Sequence, residues 1–333
     1  MKAILATAPG SADVLQLQDI AKPGLPTPHH LRVKLAAAGV NPVDTKLRAK
    51  PAYFPDRLPA ILGCDGAGFV EEIGGAVTRF KVGDQVFFCN GGIGDEPGNY
   101  AEYTVLHEDY CAAKPAMISL QGSAALPLAF ITAWEALIER ANLQAGQTVL
   151  IHAAAGGVGQ VAVQVARHLG ARIAVTVSDD RKAAIAHKLG AEKIINYKTQ
   201  DFVQETLDWT SGKGADVVFD TVGGETFLRS LNAARIGGKV VSLLSTPLSL
   251  ADSQLARLRN LSLCYELMLT PQVMRLHDDR VRQRKILEQG AALAEAGKLT
   301  VHISHRIPLA QAADAHRLIE AGGMIGKIVL TME

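Results

Sequence analysis

Apolar residues in the first third of the chain fall in short runs, KAILAT, LRVKLAAAGV, AGFVEEIG, DQVFFC and YAEYTVL, separated by Pro- and Gly-rich turns. Runs of this length and spacing predict strands, so Met1 to about Lys114 reads as an all-β region forming a partly open barrel. Asn41–Leu62 breaks the pattern with four prolines, mixed charge and the aromatics Tyr53 and Phe54. It reads as a long loop with one helical turn, of a length often reserved for function. Around Ser119–Arg140 the texture turns helical. From Thr148 apolar strand-like runs alternate with helical ones: TVLIH, QVAVQVARHLG, ARIAVTVS, DDRKAAIAHKLG, KIINY, DFVQETLDWT, ADVVFDTVGG, TFLRSLNAA and GGKVVSLLS. That alternation predicts an α/β fold with a doubly wound parallel sheet. Beyond Ser245, NLSLCYELML is apolar enough for a further strand. Asp278–Gly297 reads as an amphipathic helix with two basic stretches on a solvated face. LTVHISHRIPL is extended, AQAADAHRLIEAG a helix, and GKIVLTM a last strand.

The most informative stretch is TVLIHAAAGGVG, Thr148–Gly159, followed directly by a helix. Gly156, Gly157 and Gly159 lack Cβ atoms, so the backbone can turn tightly and a pyrophosphate can approach closely. The helix that follows aims free N–H groups and its positive dipole end at the anion. A glycine cluster alone is weak, but strand, small-residue turn and helix together predict a dinucleotide site with Ala155 to Gly159 at its centre.

Composition narrows the class without naming it. The 333 residues, 48% hydrophobic and 20% charged, suit two globular domains. A net charge of +1 gives no electrostatic case for nucleic acid or an anionic membrane. No apolar run approaches the roughly 20 residues of a bilayer span, and the N-terminus lacks a signal-peptide core. A cytoplasmic location is expected. Cys64, Cys89, Cys111 and Cys264 form no CxxC pair and read as small buried thiols. His29, His30, His152, His302 and His305 show no metal-ligand spacing and read as structural or solvated.

AAAGVNPVDTKLR, ILGCDGAGFVEEIG, FKVGDQVF, ITAWEAL, IHAAAGGVGQVAVQVARHLGA, IINY, FDTVGG and the closing GKIVL together give a resemblance that covers nearly the whole chain. The chain resembles the medium-chain dehydrogenase/reductase superfamily, in its zinc-less quinone oxidoreductase-like (zeta-crystallin-like) branch. The resemblance implies a GroES-like catalytic domain at 1–122, a Rossmann domain at 123–265 and a C-terminal return at 266–333. Zinc-dependent relatives carry Cys where this chain has Asn41, and a His–Glu pair where it has Cys64 and Asp65. A catalytic zinc wants about three good ligands and an open position, so no metal site is expected. The cysteine-rich structural lobe of those relatives is replaced here by NGGIGDEPGN.

The resemblance also implies the cofactor. Where NAD-binding domains carry an acidic residue at the end of the second strand, this chain has Val177 and then Ser178. Ser178, Lys182 and Tyr197 match side chains that hold the 2′-phosphate in NADPH-binding relatives. One ammonium and two hydroxyls suit a dianion, so NADPH is expected, with Asp179 and Asp180 capping the next helix. Thr132, Val222, Leu243, Leu244, Ser245 and Lys327 match further cofactor contacts. For the reaction, Asn41 and Tyr53 are expected to face the reacting centre, with Asp44 bracing the loop. The implied activity is hydride transfer to a quinone, or alternatively to an enone or alkenal double bond. A nucleotide-binding protein without turnover is the alternative of another class. The resemblance further implies a small-molecule substrate and a homodimer, with NLSLCYELML covering a sheet edge.

Overall fold

The computed structural model describes residues 1–332. The chain divides into two compact units, 1–131 with 269–333, and 132–268.

The first unit opens with β1 (Lys2–Ala6), β2 (Leu15–Asp19) and β3 (His30–Val40). The helix α1 (Pro42–Ala49) follows, then β4 (Ala60–Ile61), β5 (Asp65–Ile73), β6 (Gln85–Cys89), β7 (Tyr103–His107) and β8 (Ala112–Ala113). The helix α2 (Leu120–Ala124) completes this part, and α3 (Pro127–Trp134) carries the chain into the second unit and runs on into a π-helical turn at Glu135–Arg140. α2 packs on β3 and β5, which is why it belongs to this unit although the sequence already turns helical there. The second unit holds β9 (Thr148–Ile151), α4 (Gly157–His168), β10 (Arg172–Val177), α5 (Asp180–Leu189), β11 (Lys193–Asn196), α6 (Phe202–Trp209) and β12 (Ala215–Asp220). It continues with α7 (Gly224–Ala233), β13 (Ala234–Ser242), α8 (Leu250–Leu258) and β14 (Ser262–Tyr265). The chain then returns to the first unit through α9 (Thr270–Val273), α10 (His277–Glu295), β15 (Ile303–Pro308), α11 (Ala312–Ala321) and β16 (Lys327–Thr331).

In the second unit all six strands are parallel, in the order β11-β10-β9-β12-β13-β14. The order reverses between β9 and β12, so the crevice beyond their carboxyl ends is the switch point where such sheets take ligands. Leu150, Ala174, Ile195, Val218, Phe227, Leu231 and Val240 form the core on one face. NLSLCYELML does supply a strand, the sheet-edge β14.

The first unit carries a seven-stranded sheet, β15-β16-β3-β5-β6-β8 with β7 also on β3, and a three-stranded sheet, β2-β1-β4. The closing strand β16 pairs antiparallel with β3, Ile328 opposite Val40, which brings Lys327 beside the start of α1. The segment read as a loop with one turn forms two turns of helix. Pro42 sits at the first helical position, where its missing N–H costs nothing, and the Asp44 side chain accepts the Asn41 N–H at 2.8 Å. Lys46 and Arg48 fall in the last turn, where positive charge is favoured.

One expectation fails on α10. The basic stretches are not simply solvated: Arg280 and Arg284 are buried. Arg280 spans both carboxylate oxygens of Glu96 at 2.9 and 3.0 Å, bonds Asn90 Oδ1 and lies 3.8 Å above the Tyr110 ring. Arg284 donates to the Asp109 carbonyl at 3.2 Å. A guanidinium whose donors are satisfied can be buried where a bare charge cannot. Arg280→Ala should therefore cost about 1–3 kcal/mol, the half-exposed Glu96 regaining water. Lys285→Ala on the exposed side of the same helix should stay within about 0.5 kcal/mol. Urea unfolding of both variants checks the difference, and equal midpoints would show that the buried guanidinium adds nothing.

Candidate functional site

At the switch point, β9 ends at Ile151 and the chain passes through His152 and Ala153, the latter at φ +52°. His152 is buried, its ring nitrogens 3.1 Å from Thr176 Oγ1 and 3.0 Å from Ser230 Oγ. Burial pulls its pKa down to about 4, so it is a neutral structural bridge. Gly156 caps α4 without a side chain, leaving the first-turn N–H groups of Gly157, Val158 and Gly159 uncovered by any cap. A Cβ on Gly159 would lie 2.3 Å from the Ala153 carbonyl oxygen, so only glycine fits there. Ala155 is buried just before this turn, and its carbonyl accepts the Gln160 amide at 2.8 Å.

The next strand end gathers the charged groups. Val177 closes β10, and Ser178 Oγ accepts from Lys182 Nζ at 2.7 Å. Asp179 caps α5, taking the Lys182 N–H at 3.0 Å, whereas Asp180, expected to cap alongside it, is the first residue of the helix. The Asp179 carboxylate also takes the Ser178 hydroxyl at 2.8 Å and lies 3.5 Å from Lys182 Nζ. These bonds, the backbone one first, lower its pKa. Tyr197 follows β11, its N–H on the Val177 carbonyl at 3.1 Å, and is 52% exposed. Ser178, Lys182 and Tyr197 thus come together at two adjacent strand ends.

A third strand end is organised by Asp220, a residue the sequence did not single out although it lies in the quoted FDTVGG. Its buried carboxylate accepts Val222 N–H at 2.9 Å, Gly223 N–H at 3.0 Å and Ser242 Oγ at 2.7 Å. Its own carbonyl accepts the Leu243 N–H at 3.1 Å. One aspartate therefore sets the turns that carry Val222 and Leu243–Ser245. Val222 is exposed, Leu243 and Leu244 are half-buried, and Ser245 is exposed. Thr132 is buried within α3.

The first unit has its own polar cluster, formed where α1, β5 and β16 meet. Asn41 is buried, and its Nδ2 donates to Asp65 Oδ2 at 2.9 Å. Its Oδ1 accepts from the ammonium of Lys327, which lies 3.5 Å from the same Asp65 carboxylate. Asp65 also accepts the Leu128 N–H at 2.8 Å. Lys327, for which the resemblance implies a reach to the cofactor, is buried with its ammonium on these two side chains. Burial raises the Asp65 pKa, and the Lys327 charge opposes the rise. Asp44 is also fully buried. Burial pushes its carboxyl up to about 7 against hydrogen bonds from Asn41 and Tyr100. Tyr53, on the loop after α1, is half-buried, and burial raises its phenol above its ordinary value, so at neutral pH it is an O–H donor. Tyr100, which donates to Asp44 Oδ2 at 2.9 Å, was not singled out in the sequence.

These groups do not suit zinc. Asn41 Oδ1 and Asp65 are already engaged by an ammonium ion. The Cys64 thiol is raised well above its ordinary pKa by its contact with Cys89 and by burial, so it stays protonated, whereas a zinc ligand must be a thiolate. Among the described residues no three His, Cys, Asp or Glu side chains are grouped to hold a metal ion.

Known proteins of the same build share these two units. Residues 27–116 match the alcohol dehydrogenase GroES-like domain family and residues 189–330 the zinc-binding dehydrogenase family. A quinone oxidoreductase of Pseudomonas aeruginosa is 35% identical over 99% of both chains. A 2-haloacrylate reductase of a Burkholderia species is 34% identical, over 93% of this chain and 92% of its own. Among solved structures, Escherichia coli quinone oxidoreductase complexed with NADPH aligns with a TM-score of 0.88 at 29% identity, over 99% of this chain and 100% of that one. The chain belongs to the medium-chain dehydrogenase/reductase superfamily, in its quinone oxidoreductase-like branch.

Proposed function

We propose that this protein is an NADPH-dependent reductase that transfers hydride to a quinone or another electron-poor conjugated carbonyl compound without zinc. The observation that carries the cofactor choice is the Lys182 ammonium held on Ser178 at the end of β10, where Val177 replaces a ribose-binding carboxylate. Ser178, Lys182 and Tyr197 hold the 2′-phosphate, and the uncapped first turn of α4 receives the pyrophosphate beside Gly156, Gly157 and Gly159. Ala155, Val158 and Thr132 line the dinucleotide, and Val222 with Leu243–Ser245 offer main-chain groups to the nicotinamide. Bound NADPH supplies the hydride. Asn41 orients the acceptor oxygen, with the Lys327 charge behind its amide, and Tyr53 donates a hydrogen bond from the loop. Asp44 braces α1, on which Asn41 is held.

The 2-haloacrylate reductase relative favours a second acceptor class, the activated carbon–carbon double bond. A panel of ortho- and para-quinones, enones, alkenals and 2-haloacrylates, with an EDTA control, separates the two. The four free cysteines fit a reducing, cytoplasmic location.

Lys182→Ala should weaken NADPH binding about tenfold or more and leave NADH binding nearly unchanged, as isothermal titration would measure. Asn41→Ala should lower kcat/KM for a quinone at least several-fold at nearly constant NADPH affinity. An unchanged value would remove Asn41 from the mechanism. We also propose a homodimer formed along β14, whose Tyr265 is 53% exposed at an unpaired sheet edge. Light scattering at micromolar concentration should return twice the chain mass, and a monomeric mass would refute it.

A further inference from the structure

A line of buried polar groups leads away from Asp44, and hydride transfer makes no use of it. Tyr100 Oη lies 2.9 Å from Asp44 Oδ2 and 3.2 Å from His316 Nε2. His316 Nδ1 is 3.4 Å from Arg48 Nη1. The Arg48 guanidinium donates to the Gly10 carbonyl at 3.0 Å and pairs with Glu320, whose side chain reaches the surface. Asp44, Tyr100, His316 and Arg48 are all buried, and all belong to the first unit.

The hydrogens in this line follow from chemistry. A guanidinium only donates, so His316 Nδ1 is the acceptor of the Arg48 bond. Burial and the Arg48 charge bring the His316 pKa down to about 4, so the ring is neutral and its single proton sits on Nε2. Nε2–H then donates to Tyr100 Oη, and the Tyr100 hydroxyl is left to donate to Asp44. The line runs one way, from Arg48 through His316 and Tyr100 to Asp44. Asp44 Oδ2 therefore receives two donors, Tyr100 and the Asn41 N–H. Its Oδ1 faces only the weak Cys64 thiol, at 4.0 Å. The other charges acting on it are Asp65, which opposes ionisation, and Lys327, which favours it.

We propose that Tyr100 and His316 are positioning residues whose one-way hydrogen-bond line favours the ionised form of Asp44, and that ionised Asp44 holds Asn41 in the orientation the acceptor requires. The second half rests on the role of Asn41 proposed above, and the first half does not. Because Asp44 titrates near pH 7, kcat/KM for the acceptor rises with pH through a limb at that value. A hydrogen bond to the charged form lowers a carboxyl pKa, so its loss moves the limb upward.

Two readouts test this on the full-length protein. The first is the carboxyl resonance of Asp44 in protein labelled with ¹³C at aspartate, assigned as the signal missing from Asp44→Asn. The second is the pH profile of NADPH oxidation by a quinone. Tyr100→Phe keeps the ring and removes only the hydroxyl. It should raise the Asp44 titration and the kinetic limb together by about one pH unit, a tenfold change in the ionisation equilibrium, with activity recovered at high pH. His316→Leu should move both in the same direction. His316→Gln, which retains a donor and an acceptor, should restore values near those of the wild type. A resonance unmoved in Tyr100→Phe overturns the proposal, and so does a resonance that moves while the limb stays. If none of the quinones, enones, alkenals or 2-haloacrylates supplied supports NADPH oxidation by the wild type, the functional reading falls instead, and the resonance alone decides whether Tyr100 favours the ionised form of Asp44.

Discussion

One buried ammonium has to serve two buried carboxylates. Lys327 lies 3.5 Å from Asp65 and bonds Asn41, while Asp44 stands on the other side of Asn41 with hydrogen bonds but no ion pair of its own. Taking a carboxylate out of water costs several kcal/mol unless a charge or good donors replace the solvent. Asp65 receives a cation and two N–H donors. Asp44 receives two donors and only a minor share of the Lys327 charge, and its pKa climbs to about 7. The start of α1 is therefore set by how these charges are shared, and Asn41 sits at the junction.

The same constraint links distant parts of the chain. Lys327 is brought to Asn41 because β16 pairs with β3 just before α1 begins. His316 is brought to Arg48 because α11 packs on α1. Ala312 and Ala315 on α11 are buried in the same apolar cluster as Ile4, Val40, Tyr100 and Ile328. The C-terminal return thus completes the first unit in two ways. It closes the sheet, and it supplies a lysine and a histidine to polar groups laid down by the first hundred residues.

What could be read in the sequence divides along the range of the interactions. The strand–helix alternation, the glycine turn before α4 and the Asp179 cap on α5 depend on neighbours within a few residues, and each was legible from periodicity or capping chemistry. Ser178 and Lys182 were picked out only through the resemblance; their contact, one helical turn apart, is apparent in the structure. α1 was under-read because a proline-rich segment suggests a loop, whereas Pro42 falls at the one helical position that tolerates it. Tyr100, His316 and the buried Arg280 were not legible. Their partners lie far away in sequence, Tyr100 and His316 being 216 residues apart, and nothing in their local pattern marks them. Asp220 lies between these cases. Its motif was visible, but that one carboxylate holds two turns is apparent only once β12 and β13 are side by side.

An ammonium and a zinc ion both place positive charge behind a reacting carbonyl, but they differ in what they leave open. Zinc keeps a vacant coordination position and can polarise a carbonyl directly. Lys327 donates to Asn41 and lies 3.5 Å from the Asp65 carboxylate, which offsets its charge. In the proposed mechanism what it would pass on is polarisation of the Asn41 amide, a weaker electrophile than a metal. Tyr53, with a phenol raised above its ordinary pKa, adds a neutral donor and no strong acid. On this proposal the site would do little for an unactivated ketone, whose oxygen must carry the full charge as hydride arrives. It suffices for acceptors that delocalise the incoming electrons themselves, as quinones and conjugated carbonyls do. In the proposed mechanism, with Asn41, Cys64 and Asp65 standing where zinc-dependent relatives carry their ligands, the burden of activation moves from the protein to the substrate.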